Sequence, residues 1–233
     1  HWHGLLDHSN VPGRRFREFA DLCKTAQELE KWQGSEIRAD VAILFSFDNE
    51  YAFKIQPQTE GYYYFEQLQR LHRAFTALGL NVDIIGQHEK LDGYKIVCAP
   101  EMYVQEEGVA QRLESFAKQG GTVILTARSG VKDAHNNACM SQLPGVYRQL
   151  AGVHAVEYVP IGWDSIPLRF EDGTELPAKQ WCDVLEPDTA QVLARYNGDY
   201  FAGAAAVTKN RYGKGTVYYI GTVGTQPVYD RIA

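Results

Sequence analysis

The order of apolar and polar positions divides the chain into two textures. From Pro12 to Gly34, Phe16, Phe19, Leu22, Ala26, Leu29 and Trp32 recur at intervals of three and four with charges between them, which predicts an amphipathic helix stopped by Gly34. Short apolar runs then alternate with single helices. Val41 to Phe45 reads as a buried strand. A helix over about 62–78 places Phe65, Leu68, Leu71, Phe75 and Leu78 on one face and ends at Gly79. Strands follow at Val82 to Ile85 and Tyr94 to Cys98. A helix over about 106–119 turns Val109, Leu113 and Phe116 inward and ends at Gly120 and Gly121, and Thr122 to Thr126 is a further strand. Short β-branched runs separated by single helices predict parallel pairing with right-handed crossovers.

After about Gly152 the texture changes. Asp172 and Gly173 form a favoured hairpin turn inside 166–181, and Val192 to Tyr196 and Ala204 to Val207 are strand candidates. Tyr212 to Gly215 is a second turn, leading into Val217 to Ile220. No Pro/Ser-rich linker intervenes, so this part is expected to extend one edge of the sheet. The expected fold is α/β: a doubly wound, mostly parallel sheet of flavodoxin or class I glutamine amidotransferase type with a C-terminal antiparallel extension.

Composition narrows the function classes. The 233 residues carry 45% hydrophobic and 22% charged residues, near the averages of soluble globular proteins, and a net charge of −6. No basic run is longer than Arg14–Arg15, which argues against a nucleic-acid partner. No apolar stretch approaches the roughly 18 residues that span a bilayer, and no signal peptide is visible, so a cytoplasmic protein without a membrane partner is expected. The chain opens without Met and stops at Ala233 in what reads as the first turn of another element, so a fragment is expected. Cys23, Cys98, Cys139 and Cys182 are far apart and form no C-x-x-C pair, so reduced, mostly buried thiols are expected rather than a zinc or dithiol site.

Candidate chemistry gathers where α/β sheets bind ligands, at the carboxyl ends of the strands. Asp48 and Glu50 follow the first strand, Glu101 the third and Arg128 the fourth. They form either a polar cleft or, the favoured reading, helix caps and rim pairs. No G-x-G-x-x-G follows a strand and no G-x-x-x-x-G-K-[ST] occurs, so no nucleotide cofactor is expected. Ser129 sits where a nucleophile elbow would place it, but the first glycine of G-x-S-x-G is missing. Cys98 and Cys139 are not in elbow position, and His72, His88, His135 and His154 show no spacing partner. The scaffold thus reads as an amidotransferase-type sheet without its nucleophile. At the N-terminus, His1, His3, His8 and Asp7 form a dense polar cluster. It is open to reading as a weak metal motif, as the frayed edge of a missing domain, or, through Trp2 and His3, as the rim of a sugar site.

Several stretches, in order along the chain, resemble family-42 glycoside hydrolases, which are β-galactosidases. Trp2 to His8 followed by Pro12 to Glu18 resembles the end of that family's (β/α)₈ barrel and its final helix. Phe47 to Phe53 with Gln56 to Gln58 resembles the first strand and loop of its second domain. Gly120 to Thr126 with Arg128 to Asp133 is the most specific stretch, and Arg211 to Gly215 with Tyr218 to Thr222 closes the series. The resemblance implies a retaining galactosidase acting on terminal β-D-galactosides through two glutamates about 5 Å apart. Both belong to barrel strands upstream of position 1, so no catalytic residue is expected in this chain. It further implies a barrel remnant at 1–34, a trimerisation domain at 35–225 and the start of a next element at 226–233. His3, with Trp2, is the position matched to the galactose site, and no metal or other cofactor is implied. A homotrimer is the implied assembly, with a galactoside as the full-length protein's substrate. Tyr62, Tyr63, Tyr64, Trp163 and Trp181 are interface candidates by residue type, each with ordinary packing as its alternative. The rival reading is an independent small hydrolase or ligand-binding module on the same sheet.

Overall fold

The computed structural model describes residues 4–233, so Trp2 and His3, and His1 with them, lie outside the described residues. Contacts divide the chain into two units, one up to Arg38 and one from Ala39 to Ala233. The first holds α1 (Arg14–Glu28) and a 3₁₀ turn at Glu30–Trp32, with Gly34 in the left-handed region. The periodic apolar stripe forms its helix, yet none of the α1 side chains is buried.

The second unit runs β1 (Val41–Phe45), α2 (Phe47–Ile55), α3 (Tyr64–Ala77), β2 (Val82–Gly86), β3 (Ile96–Ala99), α4 (Val109–Lys118) and β4 (Thr122–Thr126). It continues with α5 (Arg148–Ala151), β5 (Val153–Phe170), β6 (Glu175–Pro187), β7 (Gln191–Tyr196), β8 (Ala205–Tyr212), β9 (Gly215–Ile220), β10 (Thr222–Gly224) and α6 (Gln226–Ile232). Among the described residues, ten strands join in one sheet of order β10-β6-β5-β7-β8-β9-β4-β3-β1-β2.

Strands β2, β1, β3, β4 and β9 pair in parallel. Apart from the edge strand β2, where Ile84 is exposed, their apolar runs are covered on both sides. In β1, Val41 and Ile43 pack with Phe53, Leu68, Leu71 and Phe75 of α2 and α3, while Ala42 and Leu44 pack with Val109, Leu113 and Ala117 of α4. Period-2 alternation therefore points each strand into two separate cores.

The expected doubly wound, mostly parallel sheet is overturned by the second half. Strands β5, β6, β7, β8 and β10 pair antiparallel and contribute most of the sheet's residues, β5 alone spanning 18 and β6 13. An additional β6–β8 pairing at Leu185 and Ala205 closes β5, β6, β8 and β7 into a small barrel, so this part is no edge extension. The flavodoxin or amidotransferase layout is corrected accordingly. The cause lies in β5, where register shifts between Ala155 and Glu157, Pro160 and Gly162, and Gly162 and Ser165 break the alternation that would reveal a strand. The hairpin at Asp172–Gly173 is present, with Gly173 at φ +84.

Two helices also differ from expectation. The buried stripe of α3 is Tyr64, Gln67, Leu68, Leu71, Ala74 and Phe75, leaving Phe65 and Leu78 exposed. The segment after β1, expected as a loop, is α2, capped by the Ser46 hydroxyl accepting from Asn49 N.

Strand β9 joins the two halves, parallel to β4 and antiparallel to β8. It begins at Gly215, where a Cβ would collide with the carbonyl oxygens of Gly121 and Ala117, neither of which is free to move away. Gly215→Ala is expected to destabilise the domain by about 1–3 kcal/mol, the usual range for overpacking, read from urea unfolding. A loss below about 0.5 kcal/mol would show that the β9 start relaxes freely.

Candidate functional site

The strand-end residues singled out from sequence do come together, but as a buried network. Arg128 leaves β4 at φ +63 and Glu101 leaves β3 at φ +46, both in the left-handed region that a side chain rarely adopts. The Arg128 guanidinium lies 4.3 Å from the ring centre of Trp181 and 5.2 Å from those of Tyr103 and Tyr158, and it donates to Gln58 Oε1 at 2.6 Å. Asp183 of β6, buried, accepts from Trp181 Nε1 at 2.8 Å, from the Tyr219 hydroxyl at 3.1 Å and from the Arg128 backbone at 3.3 Å. Burial pushes the Asp183 carboxyl above the usual range, and the Arg128 charge works against that shift. The guanidinium is therefore spent on aromatic faces, a carboxylate field and one amide.

Glu101 is more isolated. Burial raises its carboxyl well above the usual range, with the Tyr62 hydroxyl and the Arg70 charge opposing and Glu50 adding to the rise. Neither Glu101 Oε2 nor the Tyr62 hydroxyl has a hydrogen-bond partner of good geometry. Asp48 and Glu50 occupy the first turn of α2, where carboxylates meet the positive helix end, and Glu50 pairs with Lys54 at 2.8 Å.

The nucleophile candidates are engaged elsewhere. The buried Ser129 hydroxyl donates to Thr126 O at 2.8 Å and accepts from Met102 N at 3.2 Å. Burial raises the thiol of Cys98, which disfavours its reactive thiolate, and Cys139 Sγ accepts from Gln105 Nε2 at 2.5 Å. His88 bonds Glu106 at 2.5 Å, and His154 bonds Asp188 at 2.9 Å. Among the described residues, no group of three or more His, Cys, Asp or Glu is placed to hold a metal ion.

What the domain does present is apolar surface. Phe47, Tyr51 and Ile55 stand four residues apart along α2 and all face solvent, while Asn49, Ala52 and Phe53 of the same helix are buried. Beside them lies a cleft of about 540 Å³ between α2 and α3, lined by Phe53, Lys54, Pro57, Tyr62, Tyr63 and Phe65 among others. The loop over this cleft is pinned on two sides. Gln58 is held by Arg128, and Glu60 accepts from Trp163 Nε1 at 3.0 Å. Gly61, at φ +73, lies under the Trp163 ring, where a Cβ would sit 2.6 Å from the nearest ring carbon. Of the aromatic residues picked by type, Tyr62, Tyr64 and Trp181 belong to the core, whereas Tyr63 and Trp163 are exposed. Phe47, Tyr51 and Ile55 were not among those candidates, although their four-residue spacing is plain in the sequence, and Phe65, expected on the shared apolar face of α3, is exposed instead.

The model of the β-galactosidase trimerisation domain matches residues 39–233, the second unit. Among curated proteins, β-galactosidase BgaA of Clostridium cellulovorans is 48% identical over 229 residues, covering 98% of this chain and 35% of the relative. β-Galactosidase BglY of Alicyclobacillus acidocaldarius is 34% identical, covering 94% of this chain and 33% of the relative. Among solved structures, a β-galactosidase from Bacillus circulans sp. alkalophilus aligns with a TM-score of 0.91 at 27% identity, covering 98% of this chain and 35% of that one. One from Rahnella sp. R3 aligns at 0.88 and 30% identity, covering 98% and 35%. The chain thus spans about a third of the length of the curated relatives it matches.

The burial of Glu101 makes stability depend on pH. Its folded pKa lies above the unfolded value, so the native state holds the extra proton and stability falls as pH rises through the interval between the two. Glu101→Gln is therefore expected to raise the melting temperature at pH 8, with the gain shrinking as pH falls toward 4. A gain that is flat from pH 4 to 8 would contradict the assignment.

Proposed function

The chain belongs to the β-galactosidase trimerisation-domain family, and from that premise we propose that it serves as the non-catalytic assembly domain of a longer β-galactosidase. The observation that carries the reading is the extent of the match. It fills the compact unit 39–233, while the relatives that share it are about three times longer. The parent enzyme is a retaining glycosidase acting on terminal β-D-galactosides, with both catalytic glutamates upstream of residue 1, and it assembles as a homotrimer in the cytoplasm. No helix among the described residues is long and apolar enough to cross a membrane.

Residues 1–34 are read as the last turn of that enzyme's barrel and its final helix. In support, α1 carries a regular apolar stripe, yet none of its side chains is buried, as expected of a helix whose partner surface is another domain. His3 and Trp2 would then stand at the galactose site, and residues 226–233 would lead into the next element.

Sedimentation of this polypeptide at tens of micromolar is expected to give about three times the 26.2 kDa of one chain, and incubation with a nitrophenyl galactoside is expected to release no nitrophenol. A single-chain mass would refute the assembly role. Turnover that disappears in Ser129→Ala would establish an independent hydrolase instead.

A further inference from the structure

Helix α2 is apolar on two opposite sides. Its inner side chains Ala52 and Phe53 fill the core, while Phe47, Tyr51 and Ile55 form an outer ridge, with the Phe47 and Tyr51 rings stacked at 6.0 Å between centres. Asp48, Glu50 and Lys54 run between these two sides, so the outer ridge is a second apolar stripe set apart from the buried one by charge. The ridge adjoins the α2–α3 cleft, whose rim carries Tyr63 and Phe65. These five side chains are between 49% and 76% exposed.

At roughly 150–250 Å² for a whole aromatic side chain, Phe47, Tyr51, Tyr63 and Phe65, each about half exposed or more, offer on the order of 450 Å², to which Ile55 adds. That lies in the upper half of the range for the largest patch on a typical monomer, about 300–600 Å². It is also more than half of the roughly 800 Å² that each partner contributes to a stable interface. Trp163, itself exposed and seated on Gly61, extends the same surface. The ion pair Glu50–Lys54 lines the cleft, so the charge there is balanced within one copy.

We infer that the outer face of α2 together with the α2–α3 cleft is the self-association surface, and that its occupant is a second copy of this chain. The inference rests on the assembly role proposed above and names the place where it is carried out. A ring of three needs a contact between two different patches, repeated three times. Every copy then carries the α2 face, so one substitution on it weakens all the contacts of the ring.

The test is sedimentation equilibrium on the whole polypeptide, wild type against Tyr51→Glu/Ile55→Glu, with Met140→Glu as a control at an exposed position outside α2 and the cleft lining. Circular dichroism and the melting temperature report on the fold, which these outward positions should leave intact. The double variant is expected to weaken association at least 100-fold, giving single chains at concentrations where the wild type and Met140→Glu remain assembled. A double variant that stays assembled with wild-type affinity would overturn the surface while leaving the assembly role standing. A wild type that is itself a single chain would overturn both. Should the double variant unfold, Tyr63→Ser at the cleft rim replaces it, and the same loss of association is required.

Discussion

Everything in the larger unit hangs on β9 having two unlike neighbours. Its parallel ladder to β4 requires the chain to build β5 through β8 after β4 and come back in the original direction. Its antiparallel ladder to β8 lets that return be made through the tight turn at Gly213, with φ +60. The two kinds of ladder also impose different side-chain environments. The inner parallel strands are buried on both faces by helices, whereas β6 and β8 bury theirs by closing on each other. A single strand of six residues therefore holds a helix-covered sheet and a small barrel in one frame.

The polar network at the strand ends fastens that junction. Asp183 comes from the barrel, Tyr219 from β9, Arg128 from the end of β4 and Gln58 from the loop between α2 and α3. Asp183, Tyr219, Arg128 and Gln58 each bond a partner on a different element, so the group is assembled only when all of them are in place. Beside it the buried Glu101 leaves one oxygen without a partner, as Arg128 leaves its Nε, and burial raises the Glu101 carboxyl above its usual range.

The parallel half was legible because its signals are local. Continuous β-branched runs at 41–45 and 122–126 and the stripe of α4 need no knowledge of the rest of the chain. The barrel was hidden because bulges in β5 break its alternation, and its closure depends on one pairing between residues 185 and 205. The faces of α3 were misjudged at Phe65 and Leu78 for a related reason. Size and apolarity suggested burial, but the helix turns Tyr64 and Gln67 inward, where the Tyr64 hydroxyl accepts from Ser46 N and Gln67 accepts from the Tyr229 hydroxyl. The strand-end residues were correctly located, while their engagement by Trp181, Tyr158 and Asp183 came from strands whose arrangement could not be read. Family motifs reached further than periodicity here, because they carry the order of the elements.

The two sides of α2 share no residues: Asn49, Ala52 and Phe53 answer to the interior, and Tyr51 and Ile55 to the solvent. Effects at positions that touch no common partner tend to add. Sequence drift on the outer side is thus free to alter what that face meets while the interior keeps the fold. A lineage of such domains can change its outward face without renegotiating how each one folds.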